Sequence, residues 1–208
     1  ATFVFREART PSRFIVQAKD LVIGYDTPLT RPVSFNIERG QKIAIKGVNG
    51  LGKTTLLKTI LGLIPPLSGS ITLGDYLEPG YFEPEESSKN ENTALEDVWQ
   101  EYRGLTNYQV RQALAMCGLT SEHITSKVFV LSGGEAAKVR LCKLTLKDIN
   151  WLVMDEPTNH LDVDAKEELK RALKAFKGSV LLVSHEPEFY QDWITQVLNV
   201  EDWTTKTI

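Results

Sequence analysis

Cysteine is scarce in this chain, with two among 208 residues. Cys117 and Cys142 are separate in the sequence, and each lies in an apolar pattern with helical spacing. We therefore expect a buried, reduced thiol at each position, which suits a protein of a reducing compartment.

Long apolar runs are also missing. No window approaches the roughly 20 apolar residues that a membrane-spanning helix requires, so no membrane insertion is expected. Charges begin at Arg6 and no apolar run follows them, which excludes the pattern of a secretory signal peptide. The sequence therefore predicts a cytoplasmic location.

The chain also lacks a strong net charge of either sign. The 24 basic and 27 acidic side chains give a formal net charge of −3. This balance provides no overall electrostatic attraction to nucleic acid, although a basic patch on one face is compatible with it.

The length predicts one domain, or one domain with a subdomain. The first residue is Ala1 rather than Met, and residues 1–12 carry charges and a proline without a clear period. We interpret residues 1–12 as a loose lead-in segment, and we expect the chain to be cut from a longer one.

The most informative stretch is Gly47–Thr54, which reads G-x-x-x-x-G-K-T. A short apolar segment at 42–46 precedes it and predicts a buried strand, and apolar residues at helical spacing follow it at 55–61. Strand, glycine loop and helix are the context in which this pattern binds phosphate. A turn that matches by chance is the alternative, and the flanking segments argue against it.

The chemistry of this loop fits a triphosphate with Mg²⁺. Its glycines allow backbone N–H groups to surround an anion, and the helix that follows presents unpaired N–H groups at its start. Lys53 adds a positive charge between the β- and γ-phosphates, and the Thr54 hydroxyl is a suitable Mg²⁺ ligand.

Two further apolar strands end in reactive groups. The run at 150–154 leads into Asp155 and Glu156, and the run at 180–183 leads into His185. Because ligands bind beyond the carboxyl ends of parallel strands, we expect these groups to converge on the phosphate loop. Asp155 would hold Mg²⁺, Glu156 would polarise the attacking water, and His185 would contact the γ-phosphate or that water. Helix-capping carboxylates and a structural histidine are the alternatives.

The sequence between these sites predicts helices. Thr93 with Glu96, and Thr106 with Gln109, each fit a capping box, so we expect an inserted helical hairpin at 93–118.

A third capping box, at 131–135, opens a long helix and contains Gly133 and Gly134. Each glycine costs about 1 kcal/mol against alanine inside a helix. A plain helix start does not need them, whereas a backbone that contacts an anion does, so the pattern favours an anion contact.

Together the motifs resemble those of the ABC ATPases, in order over about residues 13–200. The matches are Gly47–Thr54 to Walker A, 131–135 to the signature LSGGE, 152–156 to Walker B with its glutamate, 159–162 to the D-loop, and His185 to the switch histidine. The resemblance implies an α/β P-loop NTPase core, a mostly parallel sheet with flanking helices, together with an antiparallel β subdomain and an inserted α-helical subdomain. It divides the chain into an interdomain linker tail at 1–12 and one ATP-binding domain at 13–208, whose helical subdomain occupies 83–134.

The resemblance also implies ligands, namely ATP and Mg²⁺, and a role for each matching residue. Thr54 and Asp155 would hold the metal, and Glu156 and His185 would be catalytic. Nucleotide-binding residues would be Tyr25, stacked on adenine, and Gly47, Asn49, Gly50, Leu51, Gly52, Lys53, Thr54 and Thr55. The signature residues Ser132, Gly133, Gly134 and Glu135 would contact the ATP of a partner domain.

A finer resemblance lies in Glu156–Asp162, EPTNHLD. It is typical of the ABC-F group, soluble proteins with two ABC domains, many of which act on the ribosome in translation or antibiotic resistance. We interpret the chain as the second ABC domain of such a protein, with another ABC domain, in the same polypeptide or in a head-to-tail homodimer, and the ribosome as partners. A membrane-transporter motor and a nucleotide-sensing scaffold with little turnover are the alternatives.

Two features qualify the expected activity. The family places a glutamine that contacts Mg²⁺ and water where this chain has Pro84, so we assign no such glutamine. One Walker A motif and one signature motif cannot complete a site alone, so we expect weak hydrolysis by the isolated domain.

Overall fold

The computed structural model describes residues 1–47, 52–84 and 90–203. Within them the strands are β1 (Arg6–Glu7), β2 (Phe14–Val22), β3 (Val33–Glu38), β4 (Lys42–Lys46), β5 (Ser68–Leu73), β6 (Pro79–Phe82), β7 (Asp148–Ile149), β8 (Trp151–Asp155), β9 (Ser179–Val183) and β10 (Gln196–Asn199). The α-helices are α1 (Lys53–Ile60), α2 (Ala94–Trp99), α3 (Asn107–Met116), α4 (Ser121–Thr125), α5 (Gly133–Thr145), α6 (Val163–Ala175) and α7 (Pro187–Tyr190). Short 3₁₀ turns cover Val128–Val130 and Val200–Asp202.

A parallel sheet forms the centre of the described chain, with the strand order β10-β4-β9-β8-β6. Every residue of β8 and β9 is buried, as expected of apolar strands covered on both faces. Asp155 pairs with Val183, and Val183 pairs with Ile45. The carboxyl ends of β4, β9 and β8 therefore lie side by side, and the predicted fold class is confirmed.

The second sheet is antiparallel, with the order β3-β2-β5. Its central strand β2 shifts register after Ala18 against β3 and after Lys19 against β5. Asp20 lies at this bulge with a φ of 48°. The backbone continues through this bulge as one strand, Phe14–Val22.

Two apolar clusters hold these layers together. The first joins the helical region, formed by α2–α5, and α6 to one face of the central sheet. The second joins α1 and the antiparallel sheet to the other face. Helix α1 buries Leu56, Leu57 and Ile60 in the second cluster. Gly47 therefore follows a buried strand, and Gly52 precedes a helix with a buried face.

The helices of the helical region begin where the capping boxes in the sequence predict. Capping boxes form at Thr93, Thr106 and Ser132, and a further one forms at Thr120. Because each box is a local pattern of four residues, it could be recognised without tertiary information. In the described ranges, no helix has both the length and the apolar character needed to span a bilayer.

The lead-in segment is not loose, so that expectation was wrong. Phe3 and Phe5 are buried in the first apolar cluster, and β1 pairs in parallel with β7. The Thr2 N–H donates to the Met116 carbonyl at 2.8 Å, at the end of α3. Two alternating phenylalanines are too short a pattern to stand out among the surrounding charges.

The two cysteines are buried and reduced, as expected. They are distant in sequence but adjacent in space, because the ends of α3 and α5 pack together. The neighbouring Cys117 thiol and burial raise the pKa of Cys142.

Candidate functional site

The three strand ends meet, as predicted. Gly47 follows β4, Asp155 ends β8 and is followed by Glu156, and His185 lies two residues beyond β9. Since β4, β9 and β8 are neighbours, their polar groups share one edge of the sheet. The strand order alone therefore brings these groups together.

Asp155 and Thr54 are in direct contact at this edge. The Thr54 hydroxyl donates to Asp155 Oδ2 at 2.7 Å, and Asp155 is 2% exposed. Burial raises the pKa of Asp155, because the charged carboxylate loses water.

These two oxygen groups fit Mg²⁺. The ion prefers oxygen ligands and is commonly held by one or two protein groups together with substrate phosphates. Among the described residues, no set of three or more His, Cys, Asp or Glu is arranged to hold a metal. Carboxylate, imidazole and thiol side chains alone therefore do not form a complete metal site in the described part of the chain.

Lys53 begins α1 and reaches back to the strand. Its ammonium donates to the Gly47 carbonyl at 2.6 Å. Burial lowers the pKa of Lys53, and the nearby Glu156 and Asp155 oppose that effect. Gly52, with a φ of 89°, precedes the helix and provides no side-chain cap.

Glu156 has a backbone conformation that is unusual for its residue type, with a φ of 51°. Its Oε1 lies 2.8 Å from His185 Nε2, and burial raises the pKa of Glu156. The same Nε2 lies 3.4 Å from Lys53 Nζ. Unprotonated Nε2 can accept from Lys53, whereas Glu156 Oε1 is buried without an aligned hydrogen-bond donor in this arrangement, so the protonation of Nε2 decides which neighbour it favours.

An open cleft of about 390 Å³ lies over these groups. Tyr25 is 62% exposed at its edge, leaving a ring face that a planar ligand can cover. The described lining residues are Tyr25, Leu29, Gly52, Lys53, Thr54, Thr55, Pro84, Asp155, Glu156 and Val183. The structure thus brings Tyr25 to the same cleft as Lys53, Thr54, Asp155 and Glu156, whereas Gly47 and His185 are not among its described lining residues. The predicted residues Asn49, Gly50 and Leu51 lie outside the described residues.

The signature residues lie elsewhere, in the first turn of α5. Ser132 and Glu135 close the capping box, and the Ser132 N–H helps to hold the pKa of Glu135 below its usual range. A Cβ on Gly133 would lie 2.7 Å from His160 Cγ, and one on Gly134 would lie 2.6 Å from the His160 carbonyl oxygen. The glycines therefore have an intrachain reason to be small, which the sequence argument for an anion contact missed.

Two residues of the site region escaped sequence analysis. His160 adopts a φ of 67° and packs against the signature turn. Glu186 follows His185, accepts a hydrogen bond from Thr158 and pairs with Lys166 at 2.6 Å. Glu186 thereby joins the segment after β9 to the segment after β8. The signal that the sequence offered is the Asn/His pair in EPTNHLD, which contains His160.

Comparison with known proteins decides the family. The model described as "ABC transporter" matches residues 30–159, more than half of the chain. The chain belongs to the ABC transporter family. Within it, the chain is an ATP-binding ABC ATPase domain.

The curated relatives include members of the F family. The chain is 60% identical over 206 residues to the ABC transporter ATP-binding protein YfmM of Bacillus subtilis (strain 168), covering 99% of this chain and 40% of YfmM. It is 38% identical over 202 residues to ABC transporter F family member 5 of Arabidopsis thaliana, covering 95% of this chain and 29% of that protein. Protein GCN20 of Saccharomyces cerevisiae is 34% identical over 208 residues, with coverages of 98% and 28%. The chain thus spans less than half the length of these relatives.

Solved structures share the fold. The ATP-binding cassette MJ0796, described as a dimeric post-hydrolysis state bound to ADP and Pi, has a TM-score of 0.76 and 21% identity, covering 93% of this chain and 100% of that chain. A bacterial Atm1-family ABC exporter with ATP bound has the same TM-score and identity, with coverages of 94% and 39%. At this identity the likeness establishes the fold.

Proposed function

We propose that the chain is the ATP-hydrolysing domain of a soluble ABC-F-type protein, which uses ATP-driven closure with another ABC domain to act on the ribosome. The observation that carries the ATPase part is the convergence of Lys53, Thr54, Asp155, Glu156 and His185 at one edge of the parallel sheet. This edge supplies the charge and the hydrogen-bonding groups that phosphoryl transfer requires.

Each residue has a definite task in this proposal. Thr54 and Asp155 would hold Mg²⁺, which when bound neutralises charge on the β- and γ-phosphates. Lys53 would exchange its bond to the Gly47 carbonyl for one to the phosphates. Tyr25 would stack on the adenine ring.

Hydrolysis then requires an oriented water. Glu156 would accept a hydrogen bond from that water and aim its oxygen at the γ-phosphorus, as the bond to the β–γ bridging oxygen breaks. His185 would leave Glu156 to donate from Nε2 to a γ-phosphate oxygen. The contact between His185 and Glu156 at 2.8 Å keeps both groups within reach of the same atom.

The signature residues would serve a partner. Ser132, Gly133, Gly134 and Glu135 form one exposed-to-half-buried turn on α5, and within the described chain they do not line the cleft with Lys53 and Thr54. We infer that they close over the ATP of a second ABC domain. The MJ0796 cassette, which shares this fold and is described as dimeric, supports pairing of two such domains.

The ribosomal part rests on different observations. The EPTNHLD segment and the 38% identity to an F family member favour an ABC-F protein over a transporter motor. A nucleotide sensor with little turnover is the second candidate, because Pro84, which lines the cleft, offers no side-chain amide to Mg²⁺ or water.

Phosphate release tests the proposal. We expect weak release whose rate per chain rises with protein concentration, and we expect Glu156→Gln to bind ATP, lose hydrolysis and favour the paired state. Full turnover by a monomer, independent of concentration, would contradict the pairing. Wild type and Glu156→Gln with the same ATP-dependent rate would contradict the role of Glu156.

Co-sedimentation of the Glu156→Gln form with ribosomes in ATP tests the proposed partner. Absence of co-sedimentation would reject the ribosomal part of the proposal.

A further inference from the structure

Arg140, on the helix that begins with the signature turn, is fixed to the end of β6. Its Nη1 donates to the Glu83 carbonyl at 2.5 Å, and its Cζ lies 4.4 Å from the centroid of the Phe82 ring. A hydrogen bond and a cation–π contact together hold the planar guanidinium in one orientation. Arg140 therefore connects α5 to one specific point of the central sheet.

That point borders the nucleotide cleft. Phe82 pairs with Met154, the residue before Asp155, and Pro84 lines the cleft together with Thr54 and Glu156. Proline has no N–H, and its ring neither donates nor accepts a hydrogen bond. The backbone at this edge must therefore be positioned by its neighbours, and Arg140 provides such a contact one residue away.

A second basic residue of α5 is linked to Asn90, the first described residue after position 84. Lys143, about one turn beyond Arg140, pairs with the largely buried Asp97 at 2.8 Å. The other oxygen of Asp97 accepts from Asn90 Nδ2 at 2.9 Å. Helix α5 thus reaches Glu83 directly and Asn90 through Asp97.

We propose that Arg140 is a positioning residue that sets the orientation of α5, and hence of Ser132–Gly134 at its start, according to the state of the nucleotide cleft. Arg140 makes a side-chain contact to this edge that the ring of Pro84 cannot make. The proposal rests on the function proposed above, because the turn at 132–134 acts on a partner's ATP only in that scheme.

The chain offers a matched control. Lys147, just beyond α5, donates to the Pro79 carbonyl at 2.8 Å. This contact also joins the α5 region to β6 through a basic side chain and a backbone carbonyl, but it lies at the end of the strand remote from the cleft. A purely structural role would make the two contacts equivalent, whereas a positioning role would not.

The first test compares Arg140→Ala, Arg140→Lys and Lys147→Ala. We expect Arg140→Ala to lower phosphate release about fivefold to tenfold, within the range of ordinary coupling energies, while ATP affinity changes less than about twofold because Arg140 does not contact the cleft. Arg140→Lys should fall between, since lysine keeps one donor but loses the planar contact with Phe82. Lys147→Ala should match the wild type.

The second test does not depend on turnover. Spin labels at the exposed positions Tyr108→Cys on α3 and Val197→Cys on β10 report the distance between the helical region and the sheet, and the buried native thiols should stay unlabelled. We expect a non-hydrolysable ATP analogue with Mg²⁺ to shift this distance in the wild type and in Lys147→Ala. In Arg140→Ala the distribution should be broader and unaffected by the analogue.

The outcomes separate the two proposals. If the wild type releases no more phosphate than Glu156→Gln, the proposed function fails, and the label distances still decide the role of Arg140. If Arg140→Ala responds to the analogue as the wild type does, or if Lys147→Ala is impaired equally, the positioning role is overturned. Should Arg140→Ala not fold, Arg140→Lys decides, and a wild-type response in both tests would overturn the proposal.

Discussion

Nε2 of His185 lies 2.8 Å from Oε1 of Glu156 and 3.4 Å from the ammonium of Lys53. One nitrogen thus faces an anion and a cation, and it can satisfy only one of them in a given protonation state. The charge of Glu156 and the position of His185 are consequently linked.

This link predicts the pH dependence of turnover. Burial raises the pKa of Glu156, and the neighbouring His185 partly opposes that rise. Glu156 should therefore become protonated at a higher pH than an exposed glutamate, so turnover should fall as the pH drops from neutral to mildly acidic. The residual activity of His185→Gln should fall at a still higher pH, because the opposing charge is lost. Phosphate release across a pH series measures both, and an acid limb that moves to lower pH in His185→Gln would contradict the argument.

Asp155→Asn should separate stability from function. Burial raises the pKa of Asp155, so its contribution to stability is present at low pH and is lost as the pH rises through the raised pKa. At neutral pH without ligands, Asp155→Asn should therefore have a higher thermal unfolding midpoint than the wild type, and this advantage should shrink in acid.

The same substitution should lower affinity for ATP with Mg²⁺ by tenfold or more, about 1.4 kcal/mol. Asp148→Asn is the control, because its carboxylate is 63% exposed in a surface pair with Arg6 and should change stability by less than about 0.5 kcal/mol. Calorimetry and titration with a fluorescent ATP analogue check both parts.

Gly133→Ala should destabilise the chain, although alanine is the better helix former by about 1 kcal/mol. The added Cβ would meet the His160 ring at 2.7 Å, and we expect a net loss of about 1–3 kcal/mol in the free energy of unfolding. His160→Gly should rescue Gly133→Ala, because it removes the ring while glycine tolerates the φ of 67°. It should not rescue Gly134→Ala, which meets the backbone carbonyl of His160. Urea unfolding of Gly133→Ala and Gly134→Ala, each with and without His160→Gly, tests this contact.

Phe3→Ala should cost about 3–5 kcal/mol of unfolding free energy, the usual range for a buried phenylalanine. Phe3 is fully buried, whereas the adjacent Val4 is 53% exposed. Val4→Ala should therefore change stability by less than about 0.5 kcal/mol. Equal effects of the two substitutions in denaturant unfolding would show that the lead-in segment is not part of the core.

Local patterns account for most of what the sequence predicted. The capping boxes at Thr93, Thr106 and Ser132 each depend on residues three apart, and the apolar strands before Asp155 and His185 are short uninterrupted runs. The convergence of these strand ends followed from the general geometry of parallel sheets. These features could be predicted without knowing which distant segments are in contact.

The features that escaped prediction are contacts between distant segments. His160 packs on Gly133, 27 positions earlier, and Arg140 reaches Glu83 across 57 positions. Such contacts depend on the relative placement of helices and strands, which a single sequence does not determine. The meaning of a glycine pair or an arginine is therefore visible only when its neighbours are known.

The lead-in segment sets a mechanical limit on the domain. Thr2 is bound to the end of α3, Phe3 to Glu168 on α6, Ala8 to β7, and the Pro11 carbonyl to Arg39 before β4. A chain anchored at such short intervals has little slack, since an extended residue spans only about 3.3 Å. Any rotation of the helical region away from the central sheet must therefore break one of these anchors or stop, which makes residues 2–11 a tether that bounds how far the signature turn can swing.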